Sequence, residues 1–80
     1  MRIRFYGKLA DQLGSEVDLT PPPGTDTVQK LRQVLAETYP EASAEFRGRS
    51  LVCVDDRMVT DQQSISNDLT LEFLPPLSGG

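Results

Sequence analysis

The chain has 80 residues, with 8 basic and 12 acidic side chains and a formal net charge of −4. This length fits one small domain. The negative net charge argues against a function in binding nucleic-acid phosphates or docking on anionic membranes. Histidine is absent and cysteine occurs once, which excludes a Ser-His-Asp triad, histidine metal ligands, an internal disulfide and a zinc site of clustered cysteines.

The N-terminal quarter of the chain predicts two strands separated by a short helix. Residues 1–6 alternate between apolar and polar side chains, as a half-buried strand does. Residues 8–13 favour one short helical turn, and residues 16–19 alternate again as a second strand. The proline-rich stretch 20–24 supports neither helix nor sheet and predicts a rigid loop.

The strongest helical pattern covers residues 28–38. Its apolar positions recur at 3.6-residue spacing, and the opposite face carries polar side chains, Arg32 among them, that are expected to face solvent. Asp26 or Thr27 is expected to cap the helix, and Asp26 with Gln29 has the spacing of a capping box. A proline follows the pattern and ends the helix.

The second half of the chain predicts three more strands. They cover residues 50–54, 57–59 and 69–74. Asp55 and Asp56 form the predicted two-residue turn between the first two of these strands. Residues 41–49 are polar, and we expect them to be irregular.

The element order predicts the fold class. Strand, strand, helix, strand, short strand, strand is typical of an α+β domain in which a sheet of four or five strands packs on one main helix. No internal repeat, spanning segment or nucleotide-binding glycine loop is visible. We expect a single domain over residues 1–80 with 75–80 as a projecting tail, and a carrier or binding module rather than a free-standing enzyme.

The tail contains the most informative residues. Pro75 and Pro76 lack N–H donors, so they cannot continue a strand ladder and they stiffen its exit. Six residues reach about 20 Å when extended. Gly79 and Gly80 have no side chains and can enter a narrow channel, where the Gly80 α-carboxylate would be the group presented. A frayed glycine terminus is the alternative interpretation.

Residues 73–80, Phe-Leu-Pro-Pro-Leu-Ser-Gly-Gly, resemble the ending of the small subunit of molybdopterin synthase, the sulfur carrier of molybdenum-cofactor biosynthesis. The resemblance also includes Phe5-Tyr6, the Thr27-Val28-x-x-Leu31 helix start and residues 51–59, and it spans essentially the whole chain. It implies a ubiquitin-like β-grasp fold. The chain departs from the family at two turns. It has Asp55-Asp56 where the family usually has Asn-Gly-like residues, and Asn67-Asp68-Leu69 where the family often has Asp-Gly-Asp.

The resemblance implies a chemistry and two partners. An ATP-dependent activating enzyme would adenylate Gly80, and a sulfur donor would convert it to a thiocarboxylate. The large synthase subunit, in a heterotetramer, would then receive the tail and use its sulfur to make the dithiolene that holds molybdenum. Gly79 would allow entry, and Pro75 and Pro76 would aim the tail. The catalytic groups would belong to the large subunit, the chain would bind no tight cofactor and no metal, and its location would be the cytoplasm.

The strand phases also predict a docking surface. They direct alternate apolar residues of the first and last strands toward the helix, which leaves Tyr6 and Leu74 on the opposite face. Met58, just after the Asp55-Asp56 turn, is expected to join them. An uncovered cluster of aromatic and aliphatic side chains is typical of a partner site, so we expect both partners to compete for it.

Other interpretations stay open from the sequence. The chain could be a sulfur carrier of another pathway, such as thiamine synthesis, cysteine synthesis or tRNA thiolation. It could also be a ubiquitin-like protein modifier or a plain interaction domain. Cys53 lies between valines with no histidine beside it, so a buried, inert thiol is favoured over a nucleophile. Adjacent Asp55 and Asp56 are favoured as solvated turn residues over a metal pair.

Overall fold

The computed structural model describes residues 1–76, apart from the side chain of Arg49. Its elements in chain order are β1 (Arg2–Phe5), α1 (Lys8–Leu13), β2 (Glu16–Asp18), α2 (Val28–Thr38), a 3-10 turn (Pro40–Ala42), a π-helical turn (Glu45–Arg49), β3 (Leu51–Val54), β4 (Arg57–Val59) and β5 (Thr70–Leu74). Every predicted strand and helix is confirmed, with ends that shift by at most one residue. The prediction of an irregular stretch at 41–49 is wrong, because two short helical turns form there.

The five strands make one mixed sheet in the order β2-β1-β5-β3-β4. β1 and β5 are parallel neighbours at the centre, with Phe5 beside Phe73 in register. The other three strand pairs are antiparallel. With α2 as the main helix, this arrangement confirms the predicted α+β, β-grasp fold.

The core lies between the sheet and α2. Three fully buried phenylalanines, Phe5, Phe46 and Phe73, form its aromatic centre. The ring of Phe46 meets the rings of Phe5 and Phe73 edge-on, with centroids 5.9 and 5.4 Å apart, which is a favoured geometry for aromatic pairs. α2 contributes Leu31 and Leu35, which have no exposed surface. One face of the sheet is therefore covered.

The N-terminus of α2 is capped by Thr27. The Thr27 hydroxyl oxygen accepts a hydrogen bond from the Lys30 backbone N–H at 3.3 Å. The expected capping box of Asp26 with Gln29 is wrong, because the cap is one residue later. Asp26 instead pairs with the Lys30 ammonium at 3.0 Å, and this hydrogen bond lowers the pKa of the Asp26 carboxyl.

The charge of Arg32 predicted a place on the solvated face of α2, but the side chain is largely buried instead. Its side chain is only 12% exposed. The guanidinium donates to the carboxylate of Asp61 at 2.9 Å. It also donates to the backbone oxygens of Phe46 and Ser50, at 2.9 and 2.8 Å. Arg32 thus ties α2 to the π-helical turn and to the start of β3, and its charge is neutralised by Asp61.

No helix within residues 1–76 is long and apolar enough to cross a membrane.

Candidate functional site: the open sheet face and the tail exit

The face of the sheet opposite α2 carries the candidate site, and we call it the open face. Strand register aligns Arg4, Glu72, Cys53 and Met58 in one row across β1, β5, β3 and β4. Successive residues of a strand point to opposite faces. Because Phe73 and Val52 are buried against the helix layer, this row faces away from it.

A second row on the open face is apolar. Leu51 pairs with Leu74 across β3 and β5. The backbone N–H of Tyr6 donates to the oxygen of Phe73 at 3.2 Å, which continues the β1–β5 ladder and sets Tyr6 beside Leu74. Tyr6 is 40% exposed, and Leu51 and Leu74 are half-buried. The two residues that the sequence predicts to meet on this face are therefore neighbours.

Met58 belongs to the same face but not to the same row. It is 56% exposed and pairs with Cys53, two strands away from Leu74 in the sheet order. Leu51 and Cys53 lie between them, and sequence reasoning did not assign these two residues to the surface. The alternation in β3 was the available signal, since Leu51 and Cys53 share the phase opposite to the buried valines.

Tyr6 and Glu72 are linked on the open face. The Tyr6 hydroxyl donates a hydrogen bond of 2.7 Å to the Glu72 carboxylate. This bond raises the pKa of the Tyr6 phenol above its usual value, since the bond holds the neutral form, and the nearby negative charge adds to the shift. Glu72 was not among the residues predicted for the site. Glu72 shares the outward phase of β5 with Leu74, and that phase was the available signal.

Cys53 is half-buried on the open face rather than fully buried as expected. Burial raises the pKa of its thiol, and the negative charges of Glu72 and Asp56 raise it further. A thiolate is the nucleophilic form of cysteine, so the local electrostatics keep Cys53 in the unreactive thiol form.

Asp55 and Asp56 make the predicted two-residue turn between β3 and β4. Both have positive φ, 52° and 63°, as a type I′ hairpin turn requires. Within residues 1–76, no group of three or more His, Cys, Asp or Glu side chains could hold a metal ion. The two aspartates border a shallow depression of about 240 Å³ that also touches Arg4, Thr70 and Glu72.

The tail leaves the sheet beside Gly7. A Cβ atom on Gly7 would lie 2.7 Å from Cγ of Pro75, so the proline ring packs directly on the glycine backbone. Pro75 and Pro76 are exposed and start the tail at the end of the Tyr6–Leu74 row. The predicted carrier residues Gly79 and Gly80 lie outside the described residues.

Comparisons with known proteins agree with this geometry. The model of the ThiS family matches residues 3–80. The crystal structure of SAMP1 from Haloferax volcanii is similar, with a TM-score of 0.67, 22% sequence identity and coverage of 99% of this chain and 97% of that chain. At this identity the likeness shows the fold alone. A comparison with curated proteins gave no significant match.

Proposed function

This chain belongs to the ThiS family of ubiquitin-like sulfur carriers, and we propose that it is the sulfur-donating small subunit of molybdopterin synthase. Carriers of this family work with an activating enzyme and a partner synthase. On this proposal the partners are an ATP-dependent adenylating enzyme and the large synthase subunit, which forms a heterotetramer with the chain in the cytoplasm. ATP is consumed by the activating enzyme, and this chain binds no cofactor tightly.

The observation that carries the proposal is the exit of the tail. β5 ends in Phe73 and Leu74, and Pro75 and Pro76 follow at once. Pro75 packs on Gly7, and neither proline can extend the ladder. This stem supports the molybdopterin branch of the family, since it reproduces the aromatic-x-Pro-Pro pattern that precedes the terminal diglycine in that subunit.

The proposed chemistry takes place at the carboxyl terminus. The Gly80 carboxylate attacks the α-phosphate of ATP, and pyrophosphate leaves. Sulfide then attacks the acyl carbon and AMP leaves, so that one oxygen of the terminus is replaced by sulfur. In the synthase the thiocarboxylate sulfur bonds to a carbon of a cyclic pyranopterin monophosphate and displaces an oxygen substituent of that carbon. Water then hydrolyses the resulting thioester, so that the sulfur stays on the pterin and Gly80 regains its carboxylate. Gly79 allows the tail to enter the active site of each partner, and the prolines direct it there.

The open face is the proposed docking surface for both partners. Tyr6 and Leu74 lie together where the tail begins, and Met58 lies at the far side of the same face. Exposed aromatic and aliphatic side chains of this kind are covered in protein complexes. One surface then serves the activating enzyme and the large subunit in turn, so the two compete for the carrier.

Intact mass spectrometry tests the carrier function. The chain is incubated with ATP, sulfide and the activating enzyme, and a carrier gains about 16 Da, the difference between sulfur and oxygen. A protein modifier would instead appear in conjugates of higher mass, and a plain interaction domain would keep its mass. Omission of ATP is the control, because the gain requires an acyl adenylate.

Reconstitution tests the pathway. The sulfur-loaded chain is mixed with the large synthase subunit and cyclic pyranopterin monophosphate, and formation of the dithiolene product is measured. Sulfur transfer to that substrate supports the proposal. If the loaded chain instead donates sulfur only in assays of thiamine synthesis, cysteine synthesis or tRNA thiolation, it belongs to another sulfur pathway.

A further inference from the structure

We propose that Glu72 is a specificity-determining residue of the open face, and that the activating enzyme, when it docks there, presents a basic side chain, an ammonium or guanidinium group, to its carboxylate. This proposal rests on the proposed function and deepens it. It names the chemistry that a partner needs in addition to an apolar surface.

Glu72 occupies the middle of the face. It lies on β5, the central strand of the sheet, between Arg4 on one side and Cys53 on the other. The apolar side chain of Leu74 is the next residue of β5 on the same face, and the hydroxyl of Tyr6 reaches the Glu72 carboxylate. A partner that covers Tyr6 and Leu74 therefore also removes water from Glu72.

The charged residues of β1 and β2 form ion pairs with one another, whereas Glu72 does not take part in one within the described residues. On the β1–β2 side, Arg2 lies 3.5 and 3.4 Å from the carboxylates of Glu16 and Asp18, and Arg4 lies 3.5 Å from Glu16. Glu72, in contrast, forms no ion pair within the described part of the chain. Its one side-chain hydrogen bond there comes from the neutral hydroxyl of Tyr6.

Docking would be unfavourable if this carboxylate stayed unpaired. An ionised carboxylate accepts about four hydrogen bonds, and Tyr6 supplies one. A charge that is buried without a partner is strongly destabilising. A basic side chain from the docking protein would supply the missing donors, whereas an apolar or acidic surface would be rejected, and this difference creates specificity.

The surface beside Glu72 has room for such a group. The depression of about 240 Å³ adjoins Glu72 and is bordered by Asp55 and Asp56. Three carboxylates against the single guanidinium of Arg4 make the local charge negative. The shape and the charge together fit the end of a lysine or arginine side chain from the partner.

Binding measurements with charge variants test this proposal. The affinity of the activating enzyme is measured by titration calorimetry for the full chain and for Glu72→Gln and Glu72→Lys. We expect about tenfold weaker binding for Glu72→Gln and about a hundredfold for Glu72→Lys, the scale of a close interfacial charge pair. The affinity of Glu72→Gln should fall less steeply with rising salt concentration than that of the unchanged chain, because one attractive charge pair is lost.

Glu37→Gln is the matched control, since Glu37 is an exposed carboxylate on α2, away from the open face. Its affinity should equal that of the unchanged chain, and thermal denaturation verifies that each variant is folded. Glu72→Ala repeats the test if Glu72→Lys does not fold. Binding of Glu72→Gln that is equal to or tighter than that of the unchanged chain would overturn the proposal.

The mass assay separates this proposal from the proposed function. If the unchanged chain gains about 16 Da while Glu72→Gln binds normally, only the role of Glu72 is wrong. If the unchanged chain neither gains this mass nor binds the activating enzyme, the carrier function itself fails, and the role of Glu72 fails with it.

Discussion

Tyr6 and Glu72 are 66 positions apart in the sequence and are joined by a hydrogen bond of 2.7 Å from phenol to carboxylate. The parallel pairing of β1 with β5 brings them together, because Arg4 lies beside Glu72 in register and Tyr6 follows on the same face. Two residues from opposite ends of the chain thus form one surface, and the tail begins at its edge.

This hydrogen bond predicts an alkaline titration. The folded-state pKa of Tyr6 is raised above 10.0, first by the bond to Glu72. The neutral phenol therefore contributes stability that is complete below the unfolded pKa and is lost as pH rises through the higher folded value. Phenolate absorbance in a Tyr39→Phe background should show Tyr6 titrating above pH 10.0, and Glu72→Gln should lower that pKa. An unchanged pKa in Glu72→Gln would contradict the assigned cause.

Removal of Gly80 should abolish sulfur loading without affecting the fold. The shorter chain ends about 3.5 Å earlier, so its terminus would stop short of the activating site. The core is complete at Phe73, so the melting temperature should hardly change. Intact mass spectrometry after incubation with ATP, sulfide and activating enzyme measures the loss, and sulfur loading of the shortened chain would contradict the role of Gly80.

Cys53→Ala should keep full sulfur loading. The raised pKa of Cys53 keeps it a thiol, and no step of the proposed chemistry uses it. The residue is half-buried on the open face, so its truncation should cost less than about 1 kcal/mol of stability. Thermal denaturation checks that the variant is folded, and loss of loading in a folded variant would assign a chemical role to the thiol.

A charge introduced into the apolar row should weaken the binding of both partners. Tyr6→Asp or Leu74→Asp places a carboxylate beside Glu72 and removes apolar contact area. We expect a loss of more than about 1 kcal/mol in binding free energy, the scale of a central interface residue, for the activating enzyme and for the large synthase subunit. Calorimetry of each variant with each partner measures it. A loss toward only one partner would refute the shared surface.

Arg32 should be among the most sensitive positions for stability. Arg32→Met keeps the aliphatic length but removes the guanidinium donor from the backbone oxygens of Phe46 and Ser50 and the cation from Asp61. The expected loss is about 2–4 kcal/mol, measured by chemical denaturation. Gln33→Ala, at an exposed position of the same helix, should change stability by less than about 0.5 kcal/mol. Equal effects of the two substitutions would contradict the role of Arg32.

Substitutions in the turn between β3 and β4 should increase the stability of the fold. Asp55 and Asp56 both adopt left-handed backbone, which costs most residues about 1 kcal/mol or more and glycine almost nothing. Asp55→Asn combined with Asp56→Gly matches the favoured type I′ sequence. The double variant should gain about 1 kcal/mol, seen as a higher melting temperature. Glu37→Gln combined with Glu41→Gln controls for the loss of two negative charges, since both glutamates are exposed. A stability of the turn variant that stays level or falls would show that the aspartates are not strained.

The sequence alone determined the elements and their buried faces. Alternation in β1 and β5 and the 3.6-residue spacing in α2 are local patterns, so they identified the strand phases, the helix and the Asp55-Asp56 turn before any neighbour was known. The Pro75-Pro76 stem was equally visible, because proline restricts its own backbone. The β-grasp fold followed from the order of these elements and from the family resemblance.

Tertiary structure alone decided which residues meet. A strand pattern specifies the face of each side chain but not the neighbouring strand, so the contact of Tyr6 with Glu72 and the separation of Met58 from Leu74 required the sheet order. The burial of Arg32 was hidden for a related reason. Its charge suggested solvent, but backbone oxygens at the π-helical turn and the carboxylate of Asp61 offered partners that only the folded chain assembles, and a charge that is paired and hydrogen-bonded can be buried.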